Sequence, residues 1–308
     1  MYKHDNKKSD NSQELIDKTL KKLMLKKVNN KKIIDWLLRE KEFIKADNIS
    51  NCATHVGITI HNNVAHIVKS NFCRERLCCV CAWRRQARFL AQMKPVLAYL
   101  EQTGYKFIFA TITVKNMAYD ELETAVDDMM KGFSLLRHRR KIKRSWSGIT
   151  RSLELTYNQK DKSYHPHIHM LIAVTDDYFE TPGKYISQEE LTQLWKESMN
   201  LDYTPICYIR RVDATDNAAV ETLKYALKPT EAEEALKAFH YVLKGRRLIS
   251  FTGKFAKTRK LFKLGDFENE MNDDNQLPRN TEIEYNLYRF DATGGVYNLY
   301  KQLKFYNE

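Results

Sequence analysis

The sequence predicts an α+β fold with an antiparallel-rich sheet, and three observations carry that expectation. Residues 107–114 (FIFATITV) are β-branched and aromatic, and residues 148–157 (GITRSLELTY) alternate apolar with polar, both signs of strands. Segments of helical periodicity stand between and beyond them, at 119–139, 187–200 and 215–229. The polar turn NQKDKS (158–163) ties 148–157 to a third strand so closely that a hairpin is the simplest connection. With a further strand at 205–213 the order reads β-α-β-β-α-β-α, too few βα repeats for a barrel.

In chain order, residues 1–48 are rich in Lys and Asn and low in Gly and Pro. Apolar spacing at 15–25 and 33–43 predicts short helices on a basic, mobile arm. Residues 49–101 form a cysteine-rich segment followed by a helix at 86–101, interrupted or kinked at Pro95. The strand-and-helix core spans 102–230, and its last helix takes Thr215 or Asp216 as N-cap and stops at Pro229. Residues 231–308 hold a basic-aromatic stretch and then a tail, first acidic and then aromatic, suited to packing on the core or on a second copy of the chain. There is no internal repeat or low-complexity tract.

Composition narrows the class. A hydrophobic content of 43% and 17 tyrosines in 308 residues supply a core, which excludes wholesale disorder. No apolar run approaches the roughly 20 residues of a membrane-spanning helix, and the N-terminal stretch lacks a signal-peptide pattern. The expected location is therefore cytoplasmic, where the 6 cysteines read as thiols or metal ligands rather than disulfides. A net charge of +12 favours a polyanionic partner, nucleic acid before an anionic membrane. Residues 236–263 concentrate that charge, with nine Lys or Arg and no Asp or Glu. Phe239, Tyr241, Phe251, Phe255 and Phe262 are interleaved there, either to stack on unpaired bases or as the packed face of a basic helix.

The run NFCRERLCCVCAWRR (71–85) contains Cys78 and Cys81 as a C-x-x-C knuckle, the usual half of a tetrahedral zinc site. Cys73 and Cys52 are the best remaining pair for a structural Zn²⁺. Cys79, His55, His61 or His66 are alternatives for either of them. Buried free cysteines are the bland reading, and a redox role lacks the βαβ context it needs.

In SYHPHIHMLIAV (163–174), His165, His167 and His169 alternate, so on a strand all three point to one face. Met170 to Val174 are apolar without a break, as on a strand buried on both faces, and Pro166 belongs at a strand beginning or edge. Glu154 lies on the polar face of the adjoining strand and offers an oxygen. Imidazoles with a carboxylate suit Mn²⁺ or Mg²⁺ and, less specifically, Zn²⁺. The same pattern would serve a metal-dependent hydrolase of small substrates. On the helix at 215–229, Glu221 and Tyr225 share a face, and Lys224 and Lys228 flank the tyrosine. Lysines beside a phenol stabilise its phenolate and a nearby phosphate. A Glu–Lys surface helix with a half-buried Tyr is the bland alternative.

Together these stretches resemble the rolling-circle replication initiators of small bacterial plasmids, in the HUH endonuclease superfamily. FATITVKN (109–116) resembles the first motif of that group, HPHIHMLIAV (165–174) the second and ETLKYALK (221–228) the third. NFCRERLCCVCAWRR and GRRLISFTG (245–253) resemble flanking segments, so the likeness runs from about residue 50 to 260. Cys79, where this group often has proline, is a departure that blurs which cysteines are ligands.

The resemblance implies an RRM-like antiparallel sheet with helices as the nickase core. It implies His167 and His169 as the metal pair, Glu154 as third ligand, and His165 as a ligand or the partner of one. It implies Tyr225 as nucleophile and Glu221 as a base, yielding a 5′-phosphotyrosine and a 3′-hydroxyl primer. The implied partners are single-stranded and double-stranded plasmid origin DNA. A host helicase and polymerase are implied too, since no G-x-x-x-x-G-K-[ST] run marks a motor. A transposase or a mobilisation relaxase of the same superfamily, and a non-catalytic zinc-dependent nucleic-acid-binding protein, are the rival readings.

Overall fold

The computed structural model describes residues 5–213, 233–266, 271–273 and 277–308. In chain order it begins with α1 (Asp5–Arg39), α2 (Phe43–Asn51), β1 (His55–His61), β2 (Val64–Ser70) and α3 (Cys79–Gln102). Next come β3 (Tyr105–Thr113), α4 (Tyr119–His138), α5 (Arg140–Ser145), β4 (Gly148–Asn158) and β5 (Ser163–Thr175). After these come α6 (Gln188–Met199), β6 (Cys207–Val212), α7 (Glu233–Tyr241), β7 (Ile249–Phe251) and α8 (Gly253–Leu261). The chain closes with β8 (Thr281–Asp291) and β9 (Val296–Asn307). The fold is mixed α+β with two antiparallel sheets. No described helix is long and apolar enough to cross a membrane.

The chain divides into two compact units, Met1–Arg85 with Asp266–Glu308, and Gln86–Gly265. This differs from the four segments read in the sequence, because the tail expected after 264 returns as β8 and β9. They complete a sheet of order β2-β1-β8-β9 in the first unit.

The two short arm helices expected at 15–25 and 33–43 are a correction. They are one helix, α1, of 35 residues. Ile16, Leu20, Leu23, Asn30, Ile33 and Leu37 are buried along the helix, the partly buried Lys26 and Lys27 lie between Leu23 and Asn30, and no Gly or Pro falls between the two apolar stretches to break the helix. The next helix, α2, starts only after Lys41 turns the chain at φ 61°.

In the second unit the sheet order is β6-β3-β5-β4-β7, which puts β5 at the centre. Its residues Met170 to Val174 are buried, as a strand covered on both faces requires. Pro166, expected at a strand beginning or an edge, instead stands within this central strand, opposite Leu155. The ladder to β3 ends at Thr113 and His167, one residue short of it.

Helices α4 and α6 pack together, and Trp195 of α6 donates from Nε1 to the Thr113 carbonyl at 2.8 Å. Ser187 caps α6 by accepting the Glu190 N–H at 3.2 Å. Helix α3 begins at Cys79, earlier than expected, and continues through Pro95. The packing reading of the 236–263 aromatics prevails for three of them. Phe239 and Phe255 are buried, and Phe251 stacks on Phe89 at 5.8 Å, while Tyr241 and Phe262 remain exposed.

The start of α8 is clamped to the start of β4. Lys254 N–H donates to the Ser147 carbonyl at 3.0 Å, and Thr252 N–H to that of Ile149 at 2.8 Å. Gly253 between them sits at φ +55°, and a Cβ there would run into the Ser147 carbonyl oxygen and lie 2.7 Å from Gly148 Cα. Gly253→Ala therefore combines a left-handed penalty of about 1–2 kcal/mol with a backbone clash. Urea unfolding should show a clearly lower midpoint with an unchanged slope.

Candidate metal centres

The β4–β5 hairpin builds the first centre. Its register sets Glu154 opposite His167, Thr156 opposite His165 and Ser152 opposite His169. On the other side of β5, Thr113 faces His167 and Thr111 faces His169. Directly paired residues share a face, so the three histidines, Glu154 and the three threonines point the same way.

Glu154, His167 and His169 each offer one ligand atom, all within 4.8 Å of one another. The carboxylate Oε2 of Glu154 lies 2.6 Å from His169 Nε2. At that distance Nε2 either carries a hydrogen that it donates to the carboxylate or shares a metal ion with it. The other ring nitrogen, Nδ1, lies 2.9 Å from the Thr111 hydroxyl. With Nδ1–H donating there, Nε2 is left as a metal donor, the arrangement that orients ligand histidines.

Burial and the facing imidazoles of His165 and His169 push His167 down to about 3, so it is neutral with a free lone pair near neutral pH. The set is nitrogen, nitrogen and oxygen, and it fits a hard-to-borderline divalent ion. His165 lies outside this triad, its ring 4.2 Å from that of His167, and burial lowers its pKa as well. Tyr208 on β6 pairs with Thr111 and so shares the face, with 47% of its surface exposed. Tyr225, Glu221, Lys224 and Lys228 lie outside the described residues.

The second centre collects Cys52, Cys73, Cys78 and Cys81, whose sulfurs all lie within 4.8 Å of one another. Cys52 and Cys73 approach Cys81 at 3.5 and 3.6 Å. Backbone N–H groups of Cys73 and Arg74 point at the sulfurs of Cys52 (3.5 Å) and Cys81 (3.3 Å). Hydrogen bonds from Cys52, Cys73 and Cys81 hold the Cys78 thiol well below its usual range, and Cys52 and Cys73 are pushed up in exchange. Cys78 also immediately precedes the first residue of α3, where the helix dipole favours a thiolate.

Four converging thiols fit a tetrahedral Zn²⁺, and unrelated core cysteines have no reason to converge. Among the described residues Cys79, His55, His61 and His66 stand outside this cluster. Burial pushes the Cys79 thiol up to about 12. Sequence reasoning missed Thr111 and, beside the cysteines, Asn30. The alternating Thr111 and Thr113 of FATITVKN were the available signal for the first, and nothing local marked the second.

A family model described as replication protein matches residues 64–297. The chain is 36% identical over 256 residues to "Protein rep" of Bacillus amyloliquefaciens, covering 73% of this chain and 75% of that one. It is 33% identical over 233 residues to "Protein rep" of Streptococcus pneumoniae serotype 2, covering 70% and 73%. It is 30% identical over 216 residues to "Protein rep" of Staphylococcus aureus, covering 69% and 94%. No solved structure matches.

Two outcomes follow from the geometry. Thr111→Val keeps the shape but removes the hydroxyl that orients His169, so Mn²⁺ affinity should fall about 10–100-fold in an electron-paramagnetic-resonance titration. His169→Ala should abolish binding in the same titration. Elemental analysis should find about one tightly held zinc per chain, and Cys78→Ser should lose it.

Proposed function

This chain belongs to the replication protein family, and on that premise we propose that it initiates rolling-circle replication of a plasmid by nicking single-stranded origin DNA through a tyrosine. The observation that carries the reading is the nitrogen–oxygen ligand set of Glu154, His167 and His169 on one sheet face. A Mn²⁺ or Mg²⁺ ion held by these side chains would act as a Lewis acid toward a phosphodiester oxygen. Thr111 fixes the His169 ring, and the neutral His167 keeps its lone pair for the ion.

Tyr225 is assigned as the nucleophile on its motif, ETLKYALK, and on family membership. Its phenolate oxygen bonds to phosphorus, the bond from phosphorus to the 3′ oxygen breaks, and that oxygen takes up a proton to become the 3′-hydroxyl primer. The other product is a 5′-phosphotyrosine. Lys224 and Lys228 offset the charge of the phosphate and the phenolate. A cycle that starts with a covalent bond to one tyrosine needs a second cleavage to end. Glu221, four residues earlier in the same motif, deprotonates the water for it.

A structural Zn²⁺ belongs to the four cysteines. Double-stranded origin DNA is the initial partner, and a host helicase and polymerase supply unwinding and synthesis. Of the rival readings, a small-substrate hydrolase leaves the family match without a role.

Tyr225→Phe should eliminate both the first nick and the covalent adduct on labelled single-stranded origin DNA. Glu221→Gln should still nick and form the adduct, yet accumulate products longer than one unit length. If Tyr225→Phe still forms an adduct, the nucleophile lies elsewhere, with Tyr208 and Tyr241 the first positions to map. If both variants behave alike, Glu221 has no separate role.

A further inference from the structure

The buried stripe of α1 contains one polar residue, Asn30, and beside it stands the partly buried Lys27, and both reach the cysteine segment. Asn30, 2% exposed, donates from Nδ2 to Cys78 Sγ at 3.4 Å. Its Oδ1 accepts the Cys79 backbone N–H at 2.8 Å. About one turn earlier, Lys27 Nζ donates to the carbonyls of Cys52 at 2.6 Å and Ser50 at 3.3 Å. The same ammonium lies 4.7 Å from the centre of the Phe290 ring. A carboxamide buried in an apolar stripe is costly unless both its ends are satisfied, and here both are spent on the segment that holds the thiols. The family match begins at residue 64, so both side chains lie outside it.

We propose that Asn30 and Lys27 are positioning residues of the cysteine centre, through which docking of α1 and metal loading become one coupled equilibrium. The inference rests on the reading of the four cysteines as a zinc site. Four thiolates around a dication leave surplus negative charge on sulfur, and N–H donors disperse it. Cys52 and Cys81 receive such donors from the ligand segment itself, the Cys73 and Arg74 N–H groups. Cys78 receives one from α1. Lys27 holds the backbone of the first ligand, Cys52, and brings a positive charge toward the thiolates. Whatever free energy the metal gains from α1 in place, α1 gains from the metal in place.

The test uses the full-length chain and Asn30→Asp, which is nearly isosteric. It keeps the acceptor for the Cys79 N–H but turns the donor toward Cys78 into a second anion. Zinc affinity, read by competition with a chromogenic chelator, should fall about 10–100-fold. In the Co²⁺-substituted protein the sulfur-to-metal charge-transfer absorption should shift, a signature that a merely structural role would leave in place. In the unsubstituted protein, stripping zinc should speed hydrogen exchange in α1 while the amides of α4 keep their protection. An Asn30→Asp chain with unchanged zinc affinity and cobalt spectrum overturns the inference, and so does α1 protection that survives stripping. A wild-type chain that takes up no Zn²⁺ overturns the zinc reading first, and the inference with it.

Discussion

The register of β5 against β4 is the constraint on which the candidate active site depends. A slip of one residue would send every side chain of the hairpin to the opposite face. A slip of two would keep the faces but set Glu154 against His165 or His169 instead of His167. The apolar–polar alternation excludes the first error, since buried Tyr164 and Ile168 of β5 and Leu153 and Leu155 of β4 share one face while the histidines, Ser152, Glu154 and Thr156 take the other. The turn excludes the second. Asp161 accepts the Ser163 N–H at 3.1 Å and a hydrogen bond from Asn158 Nδ2 at 3.0 Å, and Lys162 takes φ 53°. Further in, the Thr156 hydroxyl donates to the His165 carbonyl at 3.2 Å. Each contact is worth little alone, but together they admit one pairing.

That pairing places a carboxylate and imidazoles where water is scarce. Glu154 is 4% and His169 7% exposed. Burial of such groups is tolerable only when they are paired, hydrogen-bonded or bound to a cation. Thr111 and the facing carboxylate satisfy His169, and His167 is kept uncharged by its surroundings. The site is thereby prepared to hold a cation.

The cysteine centre follows another logic. Its ligands come from the residue that ends α2, the segment after β2 and the first turn of α3. Local hydrogen bonds to sulfur and the buried face of a long helix, through Asn30, supply the order that these segments lack. In the same unit, Arg84 donates to the Met271 carbonyl at 2.6 Å and pairs with Asp273 at 2.9 Å, which ties the cysteine segment to residues near the C-terminal strands. A buried Arg–Asp pair with an added carbonyl acceptor is the well-satisfied kind.

By itself the sequence determined what depends on local periodicity and short spacing. The strand character of 163–174, the shared face of its histidines, the hairpin turn, the carboxylate on the adjoining strand and the C-x-x-C knuckle all fall in that class. Each is set by backbone geometry that repeats every two to four residues. The same stretches ranked Glu154, His167 and His169 ahead of His165, and Cys52 and Cys73 ahead of Cys79, but that these side chains converge within 4.8 Å of one another is a matter of strand register and of the direction of α3. Tertiary structure alone decided that α1 is one helix, that the tail returns as β8 and β9, and that Phe239, Phe251 and Phe255 pack inward rather than face solvent. Thr111 and Asn30 were invisible for the same reason. Their partners lie 58 and 48 residues away along the chain, and no local pattern encodes a contact that only folding creates.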